Sequence, residues 1–269
     1  VKECLENSID AGATQIDIEI ENAGKSLIRI KDNGSGIAKE DLPLALSAHA
    51  TSKVYDLDEL VSVSSLGFRG EALASIASVS KLSIYSKVSG EDCGWKIIQN
   101  GRLDIPKTEP TPHKVGTTIE IRDLFFNTPA RVKFFKKDKT EFAHIENYIK
   151  KIALSSDNIG INLSHNGKVI LQLPKSDNTF LKEQRLGQLI SSEFLLNSIE
   201  IQCSDLDYDL TGYVGLPTYS RSQSDWQYFY VNGRIVKDHC IAHAVKQAYR
   251  DVLYHGRHPV FVLYFTLPF

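Results

Sequence analysis

Residues 16–21 read Ile16-Asp17-Ile18-Glu19-Ile20-Glu21, and residues 28–37 read Ile28-Arg29-Ile30-Lys31-Asp32-Asn33-Gly34-Ser35-Gly36-Ile37. Strict alternation of isoleucine with charged residues has the period of a half-buried strand, because successive side chains of a strand point to opposite faces. Two such runs joined through Asn22-Ala23-Gly24 predict an antiparallel hairpin. The second run ends in a carboxylate followed by two glycines one residue apart. Those glycines let a flat ligand approach the backbone, and Asp32 can accept a hydrogen bond from a ring amino group. An ordinary Asn-Gly turn would account for the same residues, so the motif alone leaves both readings open.

Working outward, Lys2 to about Ser8 reads as a helix stopped at Asp10-Ala11-Gly12, with Gly12 supplying the left-handed cap. A short helix is expected from Lys39 to Ser47. The stretch from His49 to Gly70, rich in small and polar residues, reads as a long loop of the kind that serves as a functional lid. Glu71 opens a helix with Leu73, Ile76 and Ala77 on one face. Strands follow around Leu82 to Tyr85, Trp95 to Gln99 and Thr117 to Arg122. Thr140 is expected to cap a helix with Phe142, Ile145, Ile149 and Ile152 on one face. Asn166-Gly167 marks a hairpin within Ile161 to Leu173. Pro174 to Thr179 reads as a linker. Beyond it come strands near Ile199 to Cys203 and Tyr208 to Val214, and a strand from Trp226 to Val231 turning at Asn232-Gly233. A helix from His239 to Leu253 and a strand from Val260 to Phe265 close the chain. Helices and antiparallel strands mix without βαβα regularity, which indicates an α+β sandwich.

The chain has 269 residues, 42% hydrophobic and 24% charged, the composition of a globular protein with a sizeable core. Lys and Arg total 31 against 33 Asp and Glu, a net charge of −2, which excludes a protein coated in positive charge. The four cysteines, Cys4, Cys93, Cys203 and Cys240, are far apart and read as free thiols in a reducing compartment. No apolar run approaches the roughly 20 residues of a membrane span, and a cytoplasmic location is expected.

Two further clusters stand beside Asp32. Glu3 and Asn7, four residues apart, share a helix face with room for a general base and a magnesium ligand, although a solvated charged face fits them as well. Gly67-Phe68-Arg69-Gly70 before a helix suits a phosphate chain, or is merely a loop; no P-loop signature is present. His239 and His243 have the spacing of two metal ligands but lack a third, which favours a surface role.

Taken together, Glu3-x-x-x-Asn7, Asp32-x-Gly34-x-Gly36, Gly67-Phe68-Arg69-Gly70 and Gly116-Thr117-Thr118 resemble the four ATP-site motifs of the GHKL superfamily of gyrase, heat-shock chaperone, histidine kinase and mismatch-repair ATPases. Longer strings narrow this: Glu6-Asn7-Ser8-Ile9-Asp10-Ala11-Gly12-Ala13-Thr14, His49-Ala50-Thr51-Ser52-Lys53, Ser65-Leu66-Gly67 through Leu73, Phe126-Asn127-Thr128-Pro129-Ala130-Arg131, and Tyr230-Val231-Asn232-Gly233-Arg234. They are similar to the bacterial MutL family of DNA mismatch repair proteins. The strings argue against a topoisomerase subunit or chaperone. The likeness runs along the whole chain, with two departures: Cys4 stands where many relatives carry Leu, and Ala48 where a basic residue is usual.

The resemblance implies a GHKL (Bergerat-type) α/β sandwich over residues 1–174, then a smaller α+β domain of ribosomal-protein-like βαβ type over 175–269, incomplete at its C-terminal end. It implies that Glu3 activates the attacking water, that Asn7 holds Mg²⁺, that Asp32 reads the adenine amino group of ATP, that Gly34 and Gly36 make room for the base, and that Thr117 completes the bonds beneath it. Thr51, Ser52 and Lys53 with Gly67, Phe68, Arg69 and Gly70 would form a lid over the phosphates. It further implies a homodimer promoted by ATP, a clamp on DNA, nucleoid association, and partners among mismatch-recognition proteins, repair endonucleases and helicases. A clamp that never turns over ATP is the competing expectation. The basic residues Arg131, Lys133, Lys136, Lys137 and Lys139, and Arg234 with Lys237, are candidates for sequence-independent phosphate contacts, or solvated loops. Family members have a segment before Val1 and a lysine beyond Phe269 that serve the site, so this chain alone is expected to bind ATP weakly and hydrolyse it poorly.

Overall fold

The computed structural model describes residues 1–47, 71–101, 106–205 and 207–268. Its first sheet is built from β1 (Gln15–Glu21), β2 (Leu27–Asp32), β3 (Lys81–Lys87), β4 (Gly94–Asn100), β5 (Lys107–Thr111), β6 (Gly116–Arg122), β7 (Gly160–His165) and β8 (Lys168–Leu173). The order is β5-β4-β3-β6-β2-β1-β7-β8. Neighbours are antiparallel except β1 and β7, which run parallel.

Alternation in each strand produces one continuous apolar stripe. Leu171, Leu163, Ile18, Ile30, Ile119, Ile84 and Ile97 face one another in successive ladder positions across seven strands, and all are buried. Each such side chain contributes about 1.5–3 kcal/mol when fully removed from water. The opposite face is polar. There Arg29 sits between Glu19 and Glu120, directly opposite both in the ladder, donating Nε to Glu120 at 2.7 Å and Nη1 to Glu19. The Asn22-Ala23-Gly24 turn joins β1 to β2 with all three residues at positive φ. Asn166 and Gly167, at φ +49° and +74°, close the β7–β8 hairpin.

The residues group into two compact units, Val1–Tyr148 with Asn158–Lys175, and Ile149–Asp157 with Ser176–Phe269. In the second unit, β9 (Ser198–Asp205), β10 (Tyr208–Gly215), β12 (Gln227–Val231), β13 (Arg234–Ile235) and β15 (Phe261–Thr266) form a sheet ordered β13-β12-β15-β10-β9. The short β11 (Ser220–Arg221) and β14 (His258–Pro259) pair separately. β12 and β15 are parallel with the helix His239–Ala248 between them in the chain, a βαβ arrangement.

The helix Asp138–Ser155 ends in this second unit for an evident reason. Carbonyls at and around its end accept hydrogen bonds from side chains of that unit. Tyr230 donates to Lys151 O at 2.8 Å, Tyr264 to Leu154 O at 2.7 Å, and the buried Arg185 to Ala153 O at 3.2 Å and Ser156 O at 3.0 Å. Burial lowers the Arg185 guanidinium to a pKa of about 10 and pushes both tyrosine hydroxyls upward.

Several expected elements are different in the fold. The helix expected from Lys39 to Ser47 is one turn, Leu42–Ala45, because residues 38–41 form a turn on the Ala38 carbonyl and the Ser47 hydroxyl takes the Pro43 carbonyl. Thr140 is not a cap. The helix starts at Asp138, and Glu141 folds back to accept from Lys136 N at 2.9 Å, tying the helix start to the residue ahead of it. The helix from His239 stops at Ala248 rather than Leu253, as Tyr249 turns to donate its hydroxyl to Gly215 O at 2.6 Å. Among the helices not anticipated are Thr179–Leu189 and Ser192–Leu196. Their caps were visible: Asn178 accepts from Leu181 N, and Ser191 from Phe194 N, both at 2.9 Å.

Candidate functional site

The apolar stripe changes character at one end. On β2 the inward positions run Ile28, Ile30, Asp32; on β3, Leu82, Ile84, Ser86; on β6, Ile121, Ile119, Thr117. Where the period calls for a third apolar residue, three adjacent strands each supply a polar one. Ser86 and Thr117 are ladder partners, and all three are buried, Asp32 at 6% exposure. A buried carboxylate is tolerated only when hydrogen-bonded. Asp32 Oδ1 accepts from Gly34 N at 2.9 Å and Thr117 N at 3.2 Å, and Oδ2 from the Ser8 hydroxyl at 2.8 Å. One acceptor position remains on Oδ2, which fits a ligand that brings an N–H donor.

Close backbone packing holds the loop after β2. A Cβ at Gly34 would lie 2.8 Å from Ala11 O, one at Gly36 (φ +80°) 2.2 Å from Lys87 O, and one at Gly116 (φ +121°) 2.2 Å from Asp32 O. Neighbouring strands and turns of the protein itself already demand these glycines. Asn33 pins the same loop from outside, its Oδ1 accepting from Thr14 N and Gln15 N. Ser86, absent from the sequence reading, accepts from Ile37 N at 2.7 Å, donates to Gly116 O at 3.0 Å and lies 3.0 Å from Thr117 Oγ1. The signal that could have found it is the break in the Leu82, Ile84, Ser86 alternation.

The helix Lys2–Asp10 brings a second group of polar residues. Cys4 and Leu5 are fully buried and anchor it; burial pushes the Cys4 thiol pKa up. Glu3 is exposed in the first turn and Asn7 is half-buried on the same face. On the other side of Glu3 around the helix lies Glu6, buried, which accepts from the Tyr148 hydroxyl at 2.8 Å. Burial, then Glu6 and Glu3, raise the Tyr148 pKa.

Thr51, Ser52, Lys53, Gly67, Phe68, Arg69 and Gly70 lie outside the described residues. Arg131, Lys133, Lys136, Lys137 and Lys139 are all exposed in the first unit, next to Phe134 at 83% exposure. The turn before them is tightly held: Phe125, at φ +67°, donates its N–H to Val79 O at 2.6 Å and carries the Arg131 guanidinium 5.7 Å from its ring centre. Arg234 and Lys237 belong to the second unit and are exposed. Lys237 and His239 line a cavity of about 880 Å³ there, with Lys246, Arg250 and Phe261. His243 pairs with Gln247 at 3.4 Å, and among the described residues no three His, Cys, Asp or Glu side chains are grouped to hold a metal. No helix among the described residues is long and apolar enough to cross a membrane.

A polar floor of Asp32, Ser86 and Thr117 in a mixed sheet, with a glycine loop beside it, defines a class. Residues 1–118 match the family described as histidine kinase-, DNA gyrase B-, and HSP90-like ATPase. Residues 186–269 match the family described as DNA mismatch repair protein, C-terminal domain. The chain belongs to the MutL family of DNA mismatch repair proteins. It is 53% identical over 267 residues to the DNA mismatch repair protein MutL of Cellvibrio japonicus, covering 99% of this chain and 43% of that protein. It is also 53% identical, over 268 residues, to the MutL of Chromohalobacter salexigens, covering 99% of this chain and 42% of that protein. The chain thus spans less than half the length of these curated relatives. Among solved structures, the Aquifex aeolicus MutL ATPase domain complexed with ADP is 32% identical with a TM-score of 0.69, covering 99% of this chain and 90% of that one. The N-terminal domain of a DNA repair protein is 27% identical with a TM-score of 0.79, covering 99% and 82% respectively.

Proposed function

We propose that this chain binds ATP with Mg²⁺ at the Asp32 floor and hydrolyses it, acting as the nucleotide-switched part of a DNA mismatch repair clamp. The observation that carries this reading is the buried Asp32 carboxylate with one acceptor position left and its own backbone donors already committed. The 6-amino group of adenine supplies the missing donor. Guanine has an oxygen at that position and leaves the carboxylate short of a partner there, at a cost of about 1–3 kcal/mol, so adenine is preferred.

In this reading Glu3, open to solvent on the first turn, takes the proton of the attacking water. Asn7, on the same face, is the residue that would hold Mg²⁺, which when bound neutralises charge on the phosphates. Gly34, Gly36 and Gly116 keep the loop seated so that Asp32 and Thr117 stay in place. Thr51, Ser52 and Lys53, with Gly67, Phe68, Arg69 and Gly70, are assigned to a lid whose closure is coupled to dimerisation of two copies. Residues 1–174 would form the ATPase domain and 175–269 the second domain. Arg131, Lys133, Lys136, Lys137, Lys139, Arg234 and Lys237 are assigned to DNA backbone contacts, and the clamp would signal in the cytoplasm to mismatch-recognition, endonuclease and helicase partners.

The test is calorimetric titration with ADP and with a non-hydrolysable ATP analogue and Mg²⁺, beside Asp32→Ala, and phosphate release beside Glu3→Ala in a chain extended at both ends. Binding by the parent, its loss in Asp32→Ala, and binding without turnover in Glu3→Ala are the expected results. Equal binding by the parent and Asp32→Ala would remove the reading.

A further inference from the structure

The helix Lys2–Asp10 carries both Glu3 and Asn7, so its setting decides where a water-activating carboxylate and a metal-holding carboxamide stand. Side chains tie it to other elements at two points. Near its C-terminal end the Ser8 hydroxyl donates to Asp32 Oδ2 at 2.8 Å, which fixes that end to the floor. In the first turn Glu3 is exposed, and the N-cap is Val1, whose side chain has no oxygen to cap with. What holds this half is Glu6, one turn after Glu3 and only 8% exposed. Its Oε1 accepts from the Tyr148 hydroxyl at 2.8 Å and lies 3.8 Å from Lys2 Nζ. A buried carboxylate stays where its donor is, because leaving it unpaired is costly. Tyr148 remains a donor, since burial and the charges of Glu6 and Glu3 raise its pKa. Glu3 thus stands within electrostatic reach of the same hydroxyl.

We infer that Tyr148 is a positioning residue for ATP hydrolysis, which acts through Glu6 to set the rotation of the first helical turn and with it the direction of Glu3. The bond joins this helix to the helix Asp138–Ser155, 142 residues away in sequence, so a second rigid element fixes what the first turn cannot fix by itself. The inference rests on the nucleotide reading above and adds a residue that the motif spacing does not contain. It also separates binding from turnover. The base is held by Asp32 and Thr117, which Ser8 secures from the other end of the helix, so loss of the Tyr148 hydroxyl should spare affinity and slow the chemical step.

The experiment measures steady-state phosphate release, and calorimetric binding of the non-hydrolysable ATP analogue with Mg²⁺, in the chain extended at both ends. The variants are Tyr148→Phe, Glu6→Ala, Glu6→Gln and the double change Tyr148→Phe with Glu6→Ala. Tyr148→Phe should lower kcat by about fivefold or more while KM and analogue affinity stay within about twofold of the parent. Glu6→Ala should do the same, and adding Tyr148→Phe to it should change kcat by less than about twofold, because both act through one bond. A kcat untouched in Tyr148→Phe, kcat and affinity falling together, or losses that multiply in the double variant would show a brace for the fold at large and overturn the inference. Should Tyr148→Phe fail to fold, Glu6→Gln decides. It still offers an oxygen to the Tyr148 hydroxyl, so it should keep about threefold more kcat than Glu6→Ala, and equal losses in the two overturn the inference. A parent without turnover, or with turnover that survives Glu3→Ala, would remove the hydrolysis reading and this inference with it, an outcome distinct from an unaffected Tyr148→Phe in an active parent.

Discussion

Asp32 is the residue on which the site turns, and its position follows from the same alternation that builds the sheet. A carboxylate in a row of isoleucines is stable only because Gly34 N, Thr117 N and Ser8 Oγ meet it. The Asp32-x-Gly34-x-Gly36 spacing was legible, since chemistry of that kind is written in local order. Ser86 was not, because its three partners come from residues 37, 116 and 117 and meet only when β3 lies against β6. Gly36 carries a direct prediction. With φ at +80° and Lys87 O 2.2 Å from any Cβ, Gly36→Ala must displace backbone. It should cost about 2 kcal/mol or more in urea unfolding and abolish nucleotide binding. Ile84→Ala, fully buried in the stripe, should cost about 2–5 kcal/mol in the same measurement while Asp32 keeps its partners.

Elements were read well where periodicity runs long and less well at their ends. The β1–β2 hairpin was legible because isoleucine alternates with charge over both strands, and the Asn166-Gly167 turn because only residues tolerant of positive φ fit it. The helix Thr179–Leu189 was hidden by a linker-like approach of proline, serine and asparagine, the last of which is its cap, and Ser192–Leu196 follows it directly with Ser191 as its own. Asn178→Ala should therefore lower stability by about 1 kcal/mol in chemical denaturation. The helix His239–Ala248 offers a test in pH. Asp238 is held below the usual carboxylate range by the N–H groups of Ile241 and Cys240. A depressed folded pKa gives stability that is present above the unfolded value, about 3.9, and is lost as pH falls through the folded one. Asp238→Asn should lower the melting temperature at pH 7 and flatten its acid limb between about pH 4 and 2, where parent and variant converge.

At the scale of the whole molecule, the charge balance is near neutral, so the proposed DNA binding rests on local groups. Binding through Arg131, Lys133, Lys136 and Lys137 would be to phosphates, with the logarithm of affinity falling linearly with the logarithm of salt. Changing Lys136 and Lys137 together to Glu should weaken binding to any sequence alike and reduce the salt slope by about 2, measured by fluorescence anisotropy. Affinity that survives high salt, or that depends on base sequence, would contradict this assignment. The grouping of Ile149–Asp157 with the second unit belongs to the same scale. Nothing in the period of the helix Asp138–Ser155 marks the point where its carbonyls pass to Tyr230, Tyr264 and Arg185, residues 32 or more positions further on.

By itself the sequence determined the long alternating strands, the hairpin turns, the α+β class, the Asp32 and Glu3 motifs and the family they resemble, because each rests on residues close together in the chain; the short strands Lys107–Thr111, Ser220–Arg221 and His258–Pro259 it did not mark. Tertiary structure alone decided the parallel place of β7 beside β1, the meeting of Asp32, Ser86 and Thr117 at the end of the apolar stripe, and the handing of one helix end to the second unit. Those outcomes depend on hydrogen bonds between strands and helices distant in sequence, and a side chain's period says which face it takes but not which strand will lie beside it.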